Sequence, residues 1–317
     1  MKLIRFSWVI VVLFASCNFQ PEVYPGNEEA MKNEAEEIFM LENQIDFVLR
    51  ETYFMLSAEF SKSGNSGDDG NKYRSCGATI DSLELKKGVI SMEFNQNQLC
   101  GSTRFSRSGK LQIKSSKSHL RNWYNPDEEF EVTLENFTLW RNGLKVVELD
   151  GKIKFLNSTP RILEATNINR SVLKVRGQLS ITNQNGNKKD IGLFRKFMFN
   201  RQSSLSNQMS SWLEVVADTT WRGKEVFITV LNDGKVKTIG TVEDTLKYNF
   251  CSMVWKKSGG LCHYYDNNDS DESLFRIRYG LDVTGTPTKQ HCLSNAFSIN
   301  WKTGRAQYRT LILEYKD

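Results

Sequence analysis

Residues 226–240 read VFITVLNDGKVKTIG, and this stretch decides which class of fold the sequence predicts. Val226, Ile228 and Val230 are spaced two apart, so they share one face of an extended strand. The Asp-Gly pair at 233–234 follows, and such a pair between two strand-like runs is typical of a tight turn between antiparallel strands. The stretch therefore predicts a β-hairpin with one face turned toward a core.

The same alternation recurs along most of the chain. In FSINW, Phe297, Ile299 and Trp301 share one face, and WKTGRA offers a second hairpin in which Gly304 can take a positive φ. Strand–helix–strand alternation is lacking, which disfavours a parallel nucleotide-binding sheet. Strands are predicted at 88–94, 110–115, 130–140, 144–156, 172–182, 225–231, 235–242, 274–279, 296–302 and 306–314.

One long amphipathic helix is predicted ahead of the strands, over residues 28–60. Acidic residues crowd its first half, where they interact favourably with the positive end of the helix dipole. The apolar face can pack on the helix's own domain, which we favour, or form a coiled-coil contact with a partner. The residues of that face recur at steps of three and four positions. They are Met31, Ala35, Ile38, Leu41, Ile45, Val48, Leu49, Thr52 and Met55.

Composition divides the chain into four segments. Residues 1–17 form a leader, 18–72 a tether and the helix, 73–200 a first β module and 201–317 a second. The second module begins with RQSSLSNQMSS at 201–211. This segment is rich in Ser, Gln and Asn and marks the boundary between the modules. The predicted fold class is mainly β: an antiparallel β body of two similar halves, sandwich-like or an extended sheet, with one long N-terminal helix.

The leader has the composition of an export signal. Lys2 and Arg5 precede a short apolar run at 8–14, which is shorter than the ~20 residues that a membrane-spanning helix needs. LFASC at 13–17 is typical of bacterial lipoproteins. In these proteins the leader is removed, and the cysteine becomes the N-terminus and carries lipid such as palmitate. The sequence thus predicts an outer-membrane protein of the cell envelope, lipid-anchored through Cys17; the alternative is an ordinary signal peptide.

Charge gives little support to a nucleic-acid partner. The formal net charge is +5, from 42 basic and 37 acidic residues. Removal of Lys2 and Arg5 with the leader leaves 40 basic residues against 37 acidic ones, a net charge of +3. This excess is too small to indicate binding to nucleic acid. The mean hydropathy of −0.47 implies that membrane association would depend on the lipid.

Five cysteines follow Cys17, and export permits disulfides. Each half contains a cysteine, a strand and a second cysteine, and this echo favours the pairs Cys76–Cys100 and Cys251–Cys292, with Cys262 free. The alternatives are five buried, reduced thiols or a zinc site. No metal site is predicted, because its four candidate ligands form adjacent pairs whose members point to opposite faces of a strand; they are Cys262, His263, His291 and Cys292.

Three cations surround a Ser-Gly pair in FNQNQLCGSTRFSRSGKLQI at 94–113. A phosphate-binding loop requires backbone N–H groups at a helix N-terminus, whereas this segment runs into alternating, strand-like residues. We therefore predict a hairpin turn in which Gly109 takes the strained conformation and the side chains of Arg104, Arg107 and Lys110 are solvated.

Two further segments each have a ligand-binding interpretation and a purely structural one. DNNDSDES at 266–273 contains oxygen ligands for calcium, but it lacks the glycine and the closing glutamate of an EF-hand, so a solvated loop is predicted. FRKFMFNR at 194–201 interleaves aromatic and basic residues, and its alternation predicts a strand with one apolar face rather than a nucleic-acid or membrane surface.

The order of these motifs resembles a group of uncharacterised lipoproteins from Bacteroidetes, over residues 30–315. The group has a cysteine, a strand, a second cysteine, an Arg-Ser-Gly-Lys segment, an Asn-aromatic strand, an Asn-Gly turn and a strand beginning with Gly. Asn95 stands where the group has a glycine. The resemblance implies fold class and location, and no activity. The matching positions are Glu93-Phe94, Cys100, Arg107 to Lys110, Asn136-Phe137, Asn142-Gly143, Gly151, Cys251, Trp255, Gly259, Tyr279-Gly280 and Cys292.

The sequence contains no nucleophile elbow, zinc-protease helix, Walker loop or dinucleotide fingerprint, so no catalytic residue and no cofactor are predicted. The expected function is a non-catalytic binding or structural module whose partner is carbohydrate or an envelope protein. The alternative is a hydrolase acting on envelope or dietary polysaccharide, because paired carboxylates can come from anywhere in a sequence.

Overall fold

The structure is a computed structural model of the 317-residue chain. It describes residues 28–61, 77–80, 88–97, 105–115, 126–158, 170–200, 212–232, 235–251, 254–265, 275–288, 293–302 and 308–314. Within these ranges it contains one α-helix and fifteen β-strands, which confirms the predicted fold class. None of the described segments forms a helix with the length and hydropathy that crossing a membrane would require.

The elements follow one another in a simple order. Helix α1 spans Glu28–Ser61, which confirms the predicted helix at 28–60. The strands are β1 (Ala78–Ile80), β2 (Val89–Phe94), β3 (Phe105–Ser115), β4 (Glu129–Arg141), β5 (Leu144–Asn157), β6 (Arg170–Asn183), β7 (Lys188–Asn200), β8 (Trp212–Ala217), β9 (Thr219–Trp221), β10 (Lys224–Asn232), β11 (Lys235–Cys251), β12 (Val254–Tyr265), β13 (Phe275–Leu281), β14 (Ala296–Lys302) and β15 (Tyr308–Glu314).

All the described strands belong to one antiparallel sheet. Strands β1 to β7 pair in sequence, β7 pairs with β10, and β10 to β15 again pair in sequence. Strand β8 also lies between β7 and β11, beyond the end of β10, and β9 pairs with β10. The predicted module boundary at 201–211 lies outside the described residues, and the sheet is continuous from β7 to the strands that follow it.

The hairpin predicted at 226–240 is confirmed, because Asn232 of β10 pairs with Lys235 of β11 across a two-residue connection. The pairing register shifts between Val226 and Ile228. Phe227, Ile228 and Val230 all join the central core, whereas Val226 is buried outside it. The prediction that Val226 shares the face of Ile228 is therefore wrong, since a bulge breaks the two-residue alternation.

Helix α1 is buried on nearly all sides. The predicted apolar positions from Ala35 to Met55 are buried, and so are Phe39, Glu42 and Phe47, which lie on other sides of the helix. Strands from both ends of the sheet contact it. The Phe39 ring stacks on Phe297 of β14 at 3.5 Å between centroids, and the Phe47 ring lies 6.1 Å from that of Phe137 in β4.

A flat sheet can contact only one side of a helix, so these contacts require the sheet to curve around α1. One continuous core contains apolar residues of the helix and of strands from β2 to β14. The helix thus packs on its own sheet, as favoured above, and the sheet has an inner face toward α1 and an outer face away from it.

The hairpin predicted around Arg107 and Lys110 is wrong, because both residues lie inside strand β3. Gly109 does have a positive φ of 99°, but it sits at a bulge where β3 pairs with β4. The guanidinium of Arg107 lies 3.5 Å from the centroid of the Phe47 ring, so this side chain packs on the helix instead of being solvated. Arg104 lies outside the described residues.

Asn142-Gly143 does form a tight turn, between β4 and β5. Arg141 pairs with Leu144, and both turn residues have a positive φ, of 52° and 77°, as in the preferred two-residue hairpin turn. Gly151, expected at the start of a strand, lies in the interior of β5.

We expect Gly109→Ala to destabilise the protein far more than Gly143→Ala. Both glycines have a positive φ, which costs an alanine about 1–2 kcal/mol. A Cβ at Gly109 would also overlap the backbone oxygen of Asn136, whereas a Cβ at Gly143 meets nothing within 4 Å. Urea unfolding should give a free energy of unfolding at least about 2 kcal/mol lower for Gly109→Ala than for Gly143→Ala. Equal losses would show that the bulge at Gly109 is not crowded.

Candidate functional site

Acidic side chains of helix α1 form ion pairs with cations on the inner face of the sheet. Near the start of the helix, Glu34 lies 3.0 Å from Lys237 Nζ of β11, and Glu37 lies 2.9 Å from Lys189 Nζ of β7. These two pairs are partly exposed, so solvent screens them and each contributes about 1 kcal/mol or less.

A largely buried ion network lies deeper along the helix. Arg195 Nη2 of β7 is 2.8 Å from both carboxylate oxygens of Glu42, and Arg195 Nη1 is 3.3 Å from Asp46. Lys257 Nζ of β12 is 2.5 Å from Asp46, and the Tyr248 hydroxyl of β11 donates to Asp46 at 2.7 Å. The network holds two cations and two carboxylates, so it is electrically balanced.

The environment of the network explains the directions of its pKa shifts. Burial raises the pKa of Glu42, and the charges of Arg195 and Lys257 oppose this increase. Burial alone would lower the pKa of Arg195, but the carboxylates of Glu42 and Asp46 outweigh it and raise the pKa. Burial, and then the charge of Asp46, raises the pKa of Tyr248 well above its ordinary value, so the hydroxyl remains a donor.

These groups are arranged to hold the helix and not to perform chemistry. Glu42 and Arg195 are 0% exposed, and Asp46, at 14%, is already occupied by Lys257 and Tyr248. Leaving one member of a buried ion pair without its partner is strongly destabilising. The network therefore fixes the position of α1 relative to β7, β11 and β12.

Strand β12 separates the first pair of candidate zinc ligands. Cys262 and His263 are neighbours on β12 and point to opposite faces of the sheet: His263 stacks on Phe275 of the inner face, with ring centroids 4.6 Å apart. The described residues contain no group of three potential metal ligands. His291 and Cys292 lie outside those residues.

Cys262 is a free, buried thiol. Burial, and then the charge of Glu243, raises its pKa to about 12, so it remains protonated at neutral pH. A protonated, buried thiol is a poor nucleophile. Its partners face the outer side of the sheet, where Glu243 also pairs with Arg276 at 3.1 Å.

Several predicted sites fall outside the described residues: the lipidation site Cys17, the disulfide cysteines Cys76, Cys100 and Cys292, and the acidic loop at 266–273. Cys251 is the last residue of β11, where it pairs with Val254, and its side chain is not among those described. Both disulfides therefore stay predictions.

The outer face of β5, β6 and β7 carries a group of cations that we call the basic patch: Lys174, Arg176 and Lys196 around Asp218, and Lys154 opposite Arg176 on β5. Arg176 Nη2 is 2.9 Å from Asp218, and the ammonium groups of Lys174 and Lys196 are 3.6 and 3.9 Å from it. Three cations thus share one carboxylate. Because it is exposed and carries excess charge, the basic patch is the candidate functional site.

Comparison with known proteins identifies no relative: no family model, no curated protein and no solved structure matches the chain. The resemblance to the lipoprotein group therefore remains a prediction.

Sequence patterns missed both charge clusters. Residues 194–200 of FRKFMFNR belong to strand β7, as predicted, but the inward face of this segment contains Arg195 as well as Phe197. Glu42 and Asp46 are one helical turn apart near the middle of the helix, and the helical pattern by itself does not show which cations they meet. Asp218 follows strand β8, which the sequence did not predict. Only their contacts across distant strands distinguish these residues.

The buried network should show strong coupling between Glu42 and Arg195. We expect Glu42→Leu or Arg195→Met alone to lower the free energy of unfolding by about 3–5 kcal/mol, since each leaves a buried charge without its main partner. The double variant Glu42→Leu/Arg195→Met should be less destabilised than the sum of the two, because Asp46 and Lys257 remain paired. Urea unfolding at neutral pH measures the cycle, with Glu34→Gln at the partly exposed pair as the control. Additive losses would contradict the coupling.

His263 should make the protein acid-sensitive. Its ring is fully buried, neither ring nitrogen has a hydrogen-bond partner among the described residues, and burial lowers its pKa to about 3. Below pH 6.5 the unfolded chain binds a proton that the folded protein excludes, so stability falls by about 1.4 kcal/mol per pH unit until the pH approaches 3.

His263→Leu should abolish this contribution. Between pH 6.5 and 5 we expect its free energy of unfolding to fall by about 2 kcal/mol less than that of the wild type. Leu261→Val, on the same face of β12, is the control and should keep the wild-type slope. Parallel slopes for wild type and His263→Leu would show that His263 does not carry the acid sensitivity.

Proposed function

We propose that this protein is a non-catalytic binding module of the bacterial cell envelope, anchored in the outer membrane by lipid on Cys17. The leader supports this location, because its short apolar run ends in Ala15-Ser16-Cys17 after Lys2 and Arg5. A lipid anchor is also compatible with a chain whose mean hydropathy is −0.47. The two disulfides within the halves, Cys76–Cys100 and Cys251–Cys292, belong to the same proposal, since export permits them.

The observation that carries the binding role is the basic patch. Helix α1 fills the inner side of the curved sheet, and its charged residues there pair with cations of the strands. A ligand would therefore meet the outer face, and there Lys174, Arg176 and Lys196 share the single carboxylate of Asp218. Excess positive charge on an exposed surface attracts anionic partners.

The polysaccharide hydrolase finds less support. A glycosidase needs two carboxyl groups that face one bond of the substrate and can reach water. Two carboxylates in the interior part of the helix, Glu42 and Asp46, are instead held by Arg195 and Lys257. Groups neutralised in this way are poorly placed to protonate or attack a substrate.

Anchoring can be tested directly in cells. We expect wild-type protein to incorporate labelled fatty acid and to fractionate with membranes, and Cys17→Ala to lose the label and appear in the soluble fraction. Cys262→Ala is the matched control, because this buried thiol is not the anchor and its loss should leave both properties unchanged. Membrane association of Cys17→Ala together with an unlabelled wild type would refute the lipid anchor.

A further inference from the structure

We infer that the basic patch binds an acidic polysaccharide, in which carboxylate groups meet the cations and a sugar ring lies on Phe194. The inference rests on the proposed binding function and names its ligand class. Its residues lie on the outer face, since Lys174 and Arg176 alternate along β6 with Leu173 and Val175, which belong to the core around α1.

The exposure of the side chains shows that the cations are only partly satisfied. Asp218 is 4% exposed, whereas Arg176 is 64% and Lys154 is 63% exposed. The cations cover the carboxylate and keep further N–H donors directed to solvent, because a lysine has three donors and an arginine five. Lys154 Nζ lies 4.0 Å from Glu129 Oε1, and Lys154 pairs across the sheet with Glu131.

The pairing register places like charges side by side. Lys174 of β6 lies directly opposite Lys196 of β7, an arrangement that destabilises a sheet unless an anion lies nearby. Asp218 supplies that anion and shows that the site accepts a carboxylate, with Arg176 Nε and Nη2 3.0 and 2.9 Å from its oxygen. Two lysines and an arginine carry three positive charges around the single carboxylate of Asp218. Positive charge therefore remains to attract a second carboxylate, supplied by a ligand.

The cations are spread over an area that suits a polymer better than a single small ion. Lys154 lies directly opposite Arg176, and Lys174 opposite Lys196, so the two rows are two residues apart along β6. With strands about 4.8 Å apart and about 3.3 Å per residue, the four cations cover roughly 10 by 7 Å. Successive charged units of one chain can contact such an area together.

Phe194 is the feature that favours a sugar. It lies opposite Arg176 on β7, half-buried on the outer face, and its ring lies beside Gly192, where an added Cβ would approach Phe194 Cε2 to 3.0 Å. The absent side chain at Gly192 lets the ring rest against the sheet. An aromatic ring beside cations matches a sugar unit that has an apolar face and a carboxylate.

A flat membrane fits this surface less well. The outer face of a sheet that curves around a helix is convex, so a planar bilayer would touch only part of it, whereas a flexible chain can follow it. Leu156, 38% exposed, lies opposite Lys174 and is the one large exposed hydrophobic residue beside the patch in the described part of the chain. Interfacial binding to membranes uses a larger apolar face.

Binding of the purified full chain to polygalacturonate tests the inference, with Cys17→Ala throughout so that no lipid can insert into vesicles. We expect salt-sensitive binding that Lys174→Gln/Arg176→Gln/Lys196→Gln weakens at least about tenfold. The control changes three exposed lysines outside the patch, Lys188, Lys235 and Lys247, to Gln, which alters net charge equally and should weaken binding less than about threefold.

Two further variants keep the test informative if the triple variant folds poorly. Asp218→Asn removes the competing carboxylate and should tighten binding to polygalacturonate several-fold. Phe194→Leu should weaken that binding several-fold and leave binding to poly-glutamate unchanged, because poly-glutamate has carboxylates but no sugar ring.

Neutral dextran, poly-glutamate and vesicles of phosphatidylglycerol complete the set of probes. The inference is overturned if polygalacturonate does not bind, if the patch and control triple variants lose affinity equally, or if vesicles or poly-glutamate bind more tightly than polygalacturonate. None of these results bears on fatty-acid labelling of Cys17, so failure of this inference is distinct from failure of the envelope proposal.

Discussion

The buried contact between Arg195 and Glu42 is the interaction on which the arrangement of helix and sheet depends. Apolar contacts alone would let α1 rotate or slide inside the curved sheet, because its surface is apolar in many directions. An ion pair in the interior tolerates little displacement, since either charge without its partner is costly to bury. Asp46 extends the constraint to Lys257 and Tyr248, so one turn of the helix is tied to three strands.

With the helix fixed inside, the two faces of the sheet take separate roles. The inner face is used for stability: it supplies the core, the ion network and His263, whose ring is enclosed against Phe275. The outer face does not enclose the helix, so it can carry side chains that do not contribute to the stability of the fold. Lys174 opposite Lys196 is an example, because two like charges in register cost stability and need the nearby carboxylate of Asp218 to offset their repulsion.

Irregularities of the sheet explain where sequence patterns failed. A bulge between Val226 and Ile228 moves Val226 out of the inner face, and Gly109 with its positive φ sits in a bulge and not in a turn. Strand β12 begins VWKKSGG, whose lysines and glycines have a low preference for strands, yet β11 and β13 pair with it on either side. Neighbouring strands can thus impose a conformation that local preference disfavours.

The sequence by itself determined the long helix, most strands, their antiparallel pairing at hairpins and the leader that suggests export. These features depend on residues close together in the chain, where a period of two or three to four and a turn such as Asn142-Gly143 act locally. Only the tertiary structure decided that the sheet curves around the helix and that Arg195 meets Glu42. It also decided that Asp218 gathers cations from β6 and β7, because such partners are far apart in sequence and only the strand register and sheet curvature bring them within a few ångströms.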